Sequence, residues 1–311
     1  MLPVRHLILI LSISFYFNWI SQGVSRECIE FCIQDSSRYE FSLAKKPSNN
    51  LIKKIELNHQ YSLSSFDWSI AGNQNNPNVL SELNWRNLRS YGVQANIAMQ
   101  VSKVIRPLFS IVIEKNFKGI ASDIDYAEDD RVGIRYQKDF DSKAGYYSRL
   151  SLLHPITECG NFLVGLSSSF QKLNLFHENI GQSSFYRAAW FGLEGKSTNT
   201  IYNKRRFSVY LDNHIRLSRY IAKANWIGRA DLKQPDSFMH YTYTGELQSS
   251  VRFLYRLCRN LSLGGGGLFQ FQKSLKGYDL LFFSNGDVAK TQLNGVNGRR
   301  LTCFLSINIK L

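Results

Sequence analysis

The last eleven residues, Leu301 to Leu311, read LTCFLSINIKL. Leu301, Cys303, Leu305, Ile307, Ile309 and Leu311 fall on one face of an extended chain, and Thr302, Ser306, Asn308 and Lys310 on the other, because strand side chains alternate with period two. One apolar and one polar face, carried to the final residue, suits a strand with lipid on one side and a hydrated lumen on the other. We read it as the closing strand of a transmembrane barrel. Such barrels commonly end on an aromatic residue, and Leu311 departs from that.

The same dyad recurs upstream. From Asn84 to Gln100 the odd positions carry Trp85, Tyr91, Val93, Ala95, Ile97 and Met99, and the even ones Asn84, Arg86, Ser90, Gln94, Asn96 and Gln100. Leu247, Val251, Phe253 and Tyr255 alternate with Glu246, Gln248, Ser250 and Arg252, and the stretch Leu261 to Gln272 alternates with Gly264 to Gly267 inside it. Those glycines read as a place where backbone or barrel curvature needs space; a phosphate-binding loop would require a strand-turn-helix context that is missing. Turn signals divide the chain into strands near 55–70, 80–100, 108–118, 131–153, 161–172, 185–197, 205–228, 242–256, 261–273 and 299–311. The apolar phase switches between Leu217 and Tyr220; since single-chain bacterial barrels have even strand numbers, 205–228 is kept as one strand with a bulge. The prediction is an all-β, antiparallel transmembrane barrel of about ten strands.

Connections alternate in length, with short ones near 101–107, 154–160, 198–204 and 256–260 and longer polar ones near 71–79, 117–130, 172–184, 229–241 and 273–298. Short turns face the periplasm and long loops the outside in such barrels, so GIASDIDYAEDDR (Gly119 to Arg131) falls in the second outer loop. It concentrates Asp123, Asp125, Glu128, Asp129 and Asp130 in a chain of net charge +14. Counted from Asp123, a calcium loop would need Gly and Glu where Glu128 and Ile134 stand, so that pattern fails. An irregular cation site, catalytic carboxylates and a solvated turn paired with Arg131 or Arg135 remain.

The N-terminus has Arg5 and His6, an apolar run from Leu7 to Ile20, and small residues at Gly23 and Ser25. That is the layout of a secretory signal peptide, giving a leader at 1–25, a periplasmic segment at 26–54 and the barrel at 55–311. Five cysteines cannot pair completely, and Cys28 with Cys32 is the one close pair. His154, His177, His214 and His240 stand alone, so neither a metal nor another cofactor is expected. Aromatics at strand spacing and an exported barrel argue against nucleic acid. The basic chain suits outer-leaflet lipid, including lipopolysaccharide phosphates. A monomer inserted by the barrel assembly machinery of a Gram-negative outer membrane follows.

The runs FDWSIAGNQNNPNVLSELNWRNLRSYGVQA, SDIDYAEDDR, WIGRADLKQPDSFMHYTYTGE and LNGVN resemble uncharacterised bacterial outer-membrane proteins with the ten-stranded omptin-like barrel, from about Tyr61 to the end. Omptins are endopeptidases that cut beside basic residues, using an Asp-x-Asp pair in the second outer loop and an Asp-x-His pair in the fourth. The resemblance implies Asp123 and Asp125 as the first pair. Asp236 and His240 stand for the second, four apart instead of two. The expected role is a surface barrel with a structural or interaction function; the alternatives are an omptin-like endopeptidase built on these four residues and a small pore, the latter disfavoured because side chains would fill a ten-stranded lumen.

Overall fold

The computed structural model describes residues 51–72, 78–102, 104–157 and 160–311. The expected leader, the Cys28/Cys32 pair and the 26–54 segment up to residue 50 lie outside the described residues. Twelve strands dominate: β1 (Ile52–Ala71), β2 (Ser81–Met99), β3 (Leu108–Glu128), β4 (Val132–Asp141), β5 (Tyr146–Pro155), β6 (Phe162–His177), β7 (Gln182–Lys204), β8 (Phe207–Asn225), β9 (Phe238–Arg256), β10 (Leu261–Ser274), β11 (Gly277–Phe282) and β12 (Val288–Lys310). Every pairing is antiparallel, and β1 joins β12 from Lys54↔Lys310 to Ala71↔Gln292, closing the sheet. Closure satisfies all backbone groups at lipid depth, where none can be left to water. β4 with β5 fills one place in the ring and β10 with β11 another, so the barrel has the ten staves that the sequence predicts.

Each stave changes character along its length. On β1, Glu56, Asn58, Gln60 and Ser62 are buried in the lumen while Leu57 and Leu63 are exposed outside; further along the same face Phe66 and Trp68 are buried instead. On β7, buried Tyr186, Ala188 and Trp190 precede buried Glu194, with Leu193 60% exposed on the opposite face. The half that holds the start of β1 and the end of β12 therefore has apolar side chains outside and polar ones inside, and we assign it to the membrane, since an exposed band of Leu57, Tyr91, Val93, Leu217, Leu247 and Leu305 belongs against lipid. The outer half is inverted, with an aromatic core of Phe66, Trp68, Trp85, Tyr186, Trp190 and Tyr220 inside the ring. The closing strand follows the expected dyad: Thr302, Ser306 and Asn308 are buried, whereas Leu301, Leu305 and Ile307 are exposed.

Three sequence readings are corrected by this arrangement. β8 has no bulge between Leu217 and Tyr220: it pairs without a shift to β9, and the one irregularity against β7 lies between Thr200 and Tyr202. The phase switch there is Tyr220 and Ala222 entering the outer core on the same face as Ser218 and Arg216. In β2, Asn87 at φ 52 and a register shift between Arg86 and Arg89 make a true bulge. Trp85 is buried and Tyr91 is 54% exposed, so the two do not share a face as the simple alternation predicts. Several predicted loops are strand as well; the acidic stretch belongs to β3 up to Glu128, and its turn is only Asp129 to Arg131.

The membrane half of the lumen is filled with paired charges. Arg149 lies 3.0 Å from Glu246, Arg216 2.9 Å from Glu194 and also on Glu246, Arg300 3.1 Å from Glu114, and Arg252 bridges Glu56 at 2.8 Å and Asp212 at 3.2 Å. Gln60 and Ser62 donate to Glu114 at 2.7 and 2.8 Å. The glycine run makes room here: a Cβ on Gly266 would lie 2.7 Å from the Phe304 ring and 2.2 Å from the Val251 carbonyl. Removing one partner of a buried pair strands the other, at about 3–5 kcal/mol. Arg216→Met, which deprives Glu194 and Glu246 together, is expected to lose that much stability in urea unfolding from lipid vesicles; an unchanged midpoint would mean that the network carries no weight.

Candidate functional site at the outer mouth

The outer end of the ring holds a cleft of about 770 Å³. Asp123 and Asp125 line it because they are two apart on β3, pairing in register with Leu83 and Ser81 of β2 and with Lys138 and Tyr136 of β4. Trp68, Trp226 and Phe140 supply apolar wall, and Asp231, Asp279, Arg135 and Arg229 add charge. Arg229 is held by Asp231 through two contacts of 2.8 and 2.6 Å. Four carboxylates thus face two guanidinium groups, one of them already engaged. Burial, then the neighbouring Asp125 charge, pushes Asp123 up to about 7, against the opposing pull of Arg229 and a hydrogen bond from Trp226.

His240 lies on β9, five staves from β3 and so across the ring. It is strand, not loop, and fully buried. Its carboxylate neighbour is Asp279 of β11, which pairs with it in register and brings Oδ1 to 3.1 Å from Nε2. Asp236, the expected partner, instead contacts Lys223 at 2.8 Å and is exposed. Thr291 donates to Asp279 at 2.7 Å. The other ring nitrogen, Nδ1, is 2.8 Å from the Tyr186 hydroxyl, which is 2.6 Å from that of Tyr220. Burial, then Tyr220, holds the Tyr186 phenol well above its usual range, so it stays a hydroxyl. The consistent arrangement has Tyr186 O–H donating to Nδ1, which leaves the proton on Nε2; Nε2 lies beside Asp279 but makes no hydrogen bond to it.

The ring of Trp68 packs edge-on to His240 at 4.9 Å. His240 therefore sits beneath the cleft with Nδ1 hydrogen-bonded to Tyr186 and Nε2 beside Asp279, and Asp279 is the member of the pair that reaches the cleft wall. Of the four residues singled out by sequence, Asp123 and Asp125 share the cleft, His240 lies under its floor and Asp236 stands outside. Asp279 and the place of His177 in the cleft lining were not anticipated; Asp231, which the fourth loop also offers as a partner for His240, instead holds Arg229. Asp279 sits in the stretch read as a long loop, where the short strand GYDLLF has no clean alternation. His177 contacts Ser184 at 2.8 Å and the Phe140 ring at 4.8 Å. Among the described residues no three His, Cys, Asp or Glu side chains converge as metal ligands.

No protein-family model and no curated protein matches the sequence. Among solved structures, the outer membrane protease OmpT of Escherichia coli superposes with a TM-score of 0.56 at 11% identity, covering 87% of this chain and 99% of that one. The transport unit of the E. coli autotransporter AIDA-I (TM-score 0.36, 6% identity, 90% and 97% covered) and neisserial surface protein A (0.28, 10%, 82% and 97%) also match, at scores too low to bear on the argument. The protease match, at its low identity, concerns the fold: this chain is a β-barrel of the outer-membrane type, similar in architecture to an omptin.

The Asp123 shift sets a pH dependence. Its folded pKa, about 7, exceeds an ordinary value of about 3.9, so between those values the folded state holds the extra proton. Stability then falls as pH rises from about 4 to about 7, and the penalty is complete above that. Asp123→Asn cannot ionise and is expected to be more stable than the wild type at pH 8, by up to the order of 4 kcal/mol, and equal to it at pH 4. Unfolding midpoints at the two pH values check this, and equal midpoints at pH 8 would contradict it.

Proposed function

We propose that the protein is a monomeric outer-membrane barrel with a closed lumen, acting at the cell surface as a recognition module whose outer cleft takes cationic ligands. The observation that carries the reading is the acid-lined cleft standing over a lumen filled first by an aromatic core and then by paired charges. Carboxylates in a partly desolvated cleft attract cations more strongly than the same groups in water, and they do so here against the positive charge of the whole chain. The outward faces support a lipid setting: Lys172, Arg187 and Lys223 stand side by side across β6, β7 and β8, and Lys172 and Arg187 lie 4.9 and 4.2 Å from the Phe185 ring. Such a row suits outer-leaflet phosphates, those of lipopolysaccharide included. Insertion falls to the barrel assembly machinery.

Binding of spermine to the protein in detergent, followed by calorimetry, tests the reading. Affinity is expected to rise several-fold from pH 6 to pH 8 as Asp123 ionises, and to drop at least tenfold in Asp123→Asn/Asp125→Asn. Affinity indifferent to pH and to the double variant would sink it, as would steady conductance in planar bilayers.

The second reading is an endopeptidase. It is favoured by Asp123 and Asp125 facing the His240–Asp279 pair across the ring, in a fold similar to that of a protease. The complete burial of His240 weighs against it: Nδ1 already takes the Tyr186 hydroxyl proton, and a general base needs a free lone pair within reach of its proton donor. Cleavage of a fluorogenic dibasic peptide that is lost in both Asp125→Asn and His240→Ala would favour the peptidase; absence of cleavage would leave recognition as the function.

A further inference from the structure

The β3–β4 hairpin leaves one strand edge open. β3 is flanked on both sides, by β2 up to Ser81↔Asp125 and by β4 from Ile120↔Asp141 to Glu128↔Val132. β4 meets its other neighbour, β6, at a single pair, Asp141↔Phe176, because β6 ends at His177 and β5 takes over the stave below the break at 142–145. Among the described residues no backbone group from Val132 to Phe140 bonds to anything on that side. Residues 132 to 139 are exposed on both faces, including Ile134 at 63% and Val132 at 52%.

A free edge of this kind is a template for another strand, and peptides are widely bound by adding to one. The open edge borders the acidic cleft. Residues paired directly across two antiparallel strands point the same way, so Lys138 and Tyr136 share a face with Asp123 and Asp125. A strand laid along β4 would send alternate side chains over that face, towards Asp123 and Asp125 and, across the cleft, Asp231 and Asp279.

The geometry points to an extended polypeptide segment with Lys or Arg at alternate positions as the occupant, adding to the free edge of β4 as a new strand and occupying the missing part of the stave above β6. This inference rests on the cleft being a recognition site. It adds that recognition reads the ligand's backbone as well as its charge.

Three synthetic peptides separate these contributions: a decapeptide of alternating Lys and Thr, and two forms of it N-methylated at every Lys or at every Thr, each of which keeps every charge and loses one edge of backbone donors. With the full-length protein in detergent, the unmodified peptide is expected to bind at least tenfold more tightly than the weaker of the two N-methylated registers, whose methyl groups face β4, and about as tightly as the other, whose methyl groups face away. Hydrogen exchange is expected to show new protection confined to alternate amides within 134–140. Equal affinity of the unmodified peptide and both N-methylated registers would overturn strand addition while leaving the charge-based reading of the cleft standing. Failure of all three peptides and of spermine would overturn the two together. Full affinity in Asp123→Asn/Asp125→Asn would overturn the cationic preference. Amides of 134–140 already protected in the free protein would also overturn the proposal, by a segment of the same chain if protection is independent of concentration and by a second copy if it grows with concentration.

Discussion

The constraint on which the rest of the structure depends is that every stave passes through two solvents. In the half facing lipid the outer surface has to be apolar, so the inner face is left to polar side chains, and these must satisfy one another because the lumen is narrow. Beyond the lipid the outside meets water, the inside becomes the only place to bury apolar groups, and the pattern reverses. Glu56 and Phe66 lie on the same face of β1, and Arg216 and Tyr220 on the same face of β8. The aromatic core that results both roofs the charged lumen and floors the cleft, so the ligand face of the protein follows from the same reversal.

This explains what could be read from the sequence and what could not. LTCFLSINIKL lies wholly within the lipid half, where one period and one polarity hold, and it declared its fold directly. The stretch around Leu217 to Tyr220 spans the change of solvent; there a constant backbone phase with reversing polarity looks like a bulge. At Asn87 a real bulge kept the apolar residues at odd positions while exchanging their faces, so simple alternation misplaced Trp85. Acidic and polar residues in GIASDIDYAEDDR imitate a loop because their strand stands in water on its outer side. The number of staves survived these errors because turns at the lipid ends are short and well marked.

The candidate site was legible in part for the same reason. Asp123 and Asp125 carry a local i, i+2 spacing that a strand converts into a shared face, so sequence alone could pair them. The neighbour of His240 is set by register between β9 and β11, across some forty residues of chain, and nearby Asp236 was a natural but wrong choice. Fully buried between Tyr186 and Asp279, the histidine braces the cleft floor, and the chemistry open at the mouth is that of carboxylates. The split stave β4/β5 adds a free backbone edge beside those carboxylates, and charge and edge together define a surface suited to an extended cationic chain.

The change of solvent along a stave is the claim on which fold, lumen and cleft all rest. Nitroxide labels placed one at a time at the outward positions of β8, Val209, Leu211, Asn213, Ile215, Leu217, Arg219, Ile221 and Lys223, measure it through the ratio of oxygen to aqueous nickel accessibility in lipid vesicles. The account predicts oxygen-dominated accessibility through Leu217 and nickel-dominated accessibility by Lys223. Oxygen dominance continuing to Lys223, or nickel dominance at Leu211 to Leu217, would contradict it.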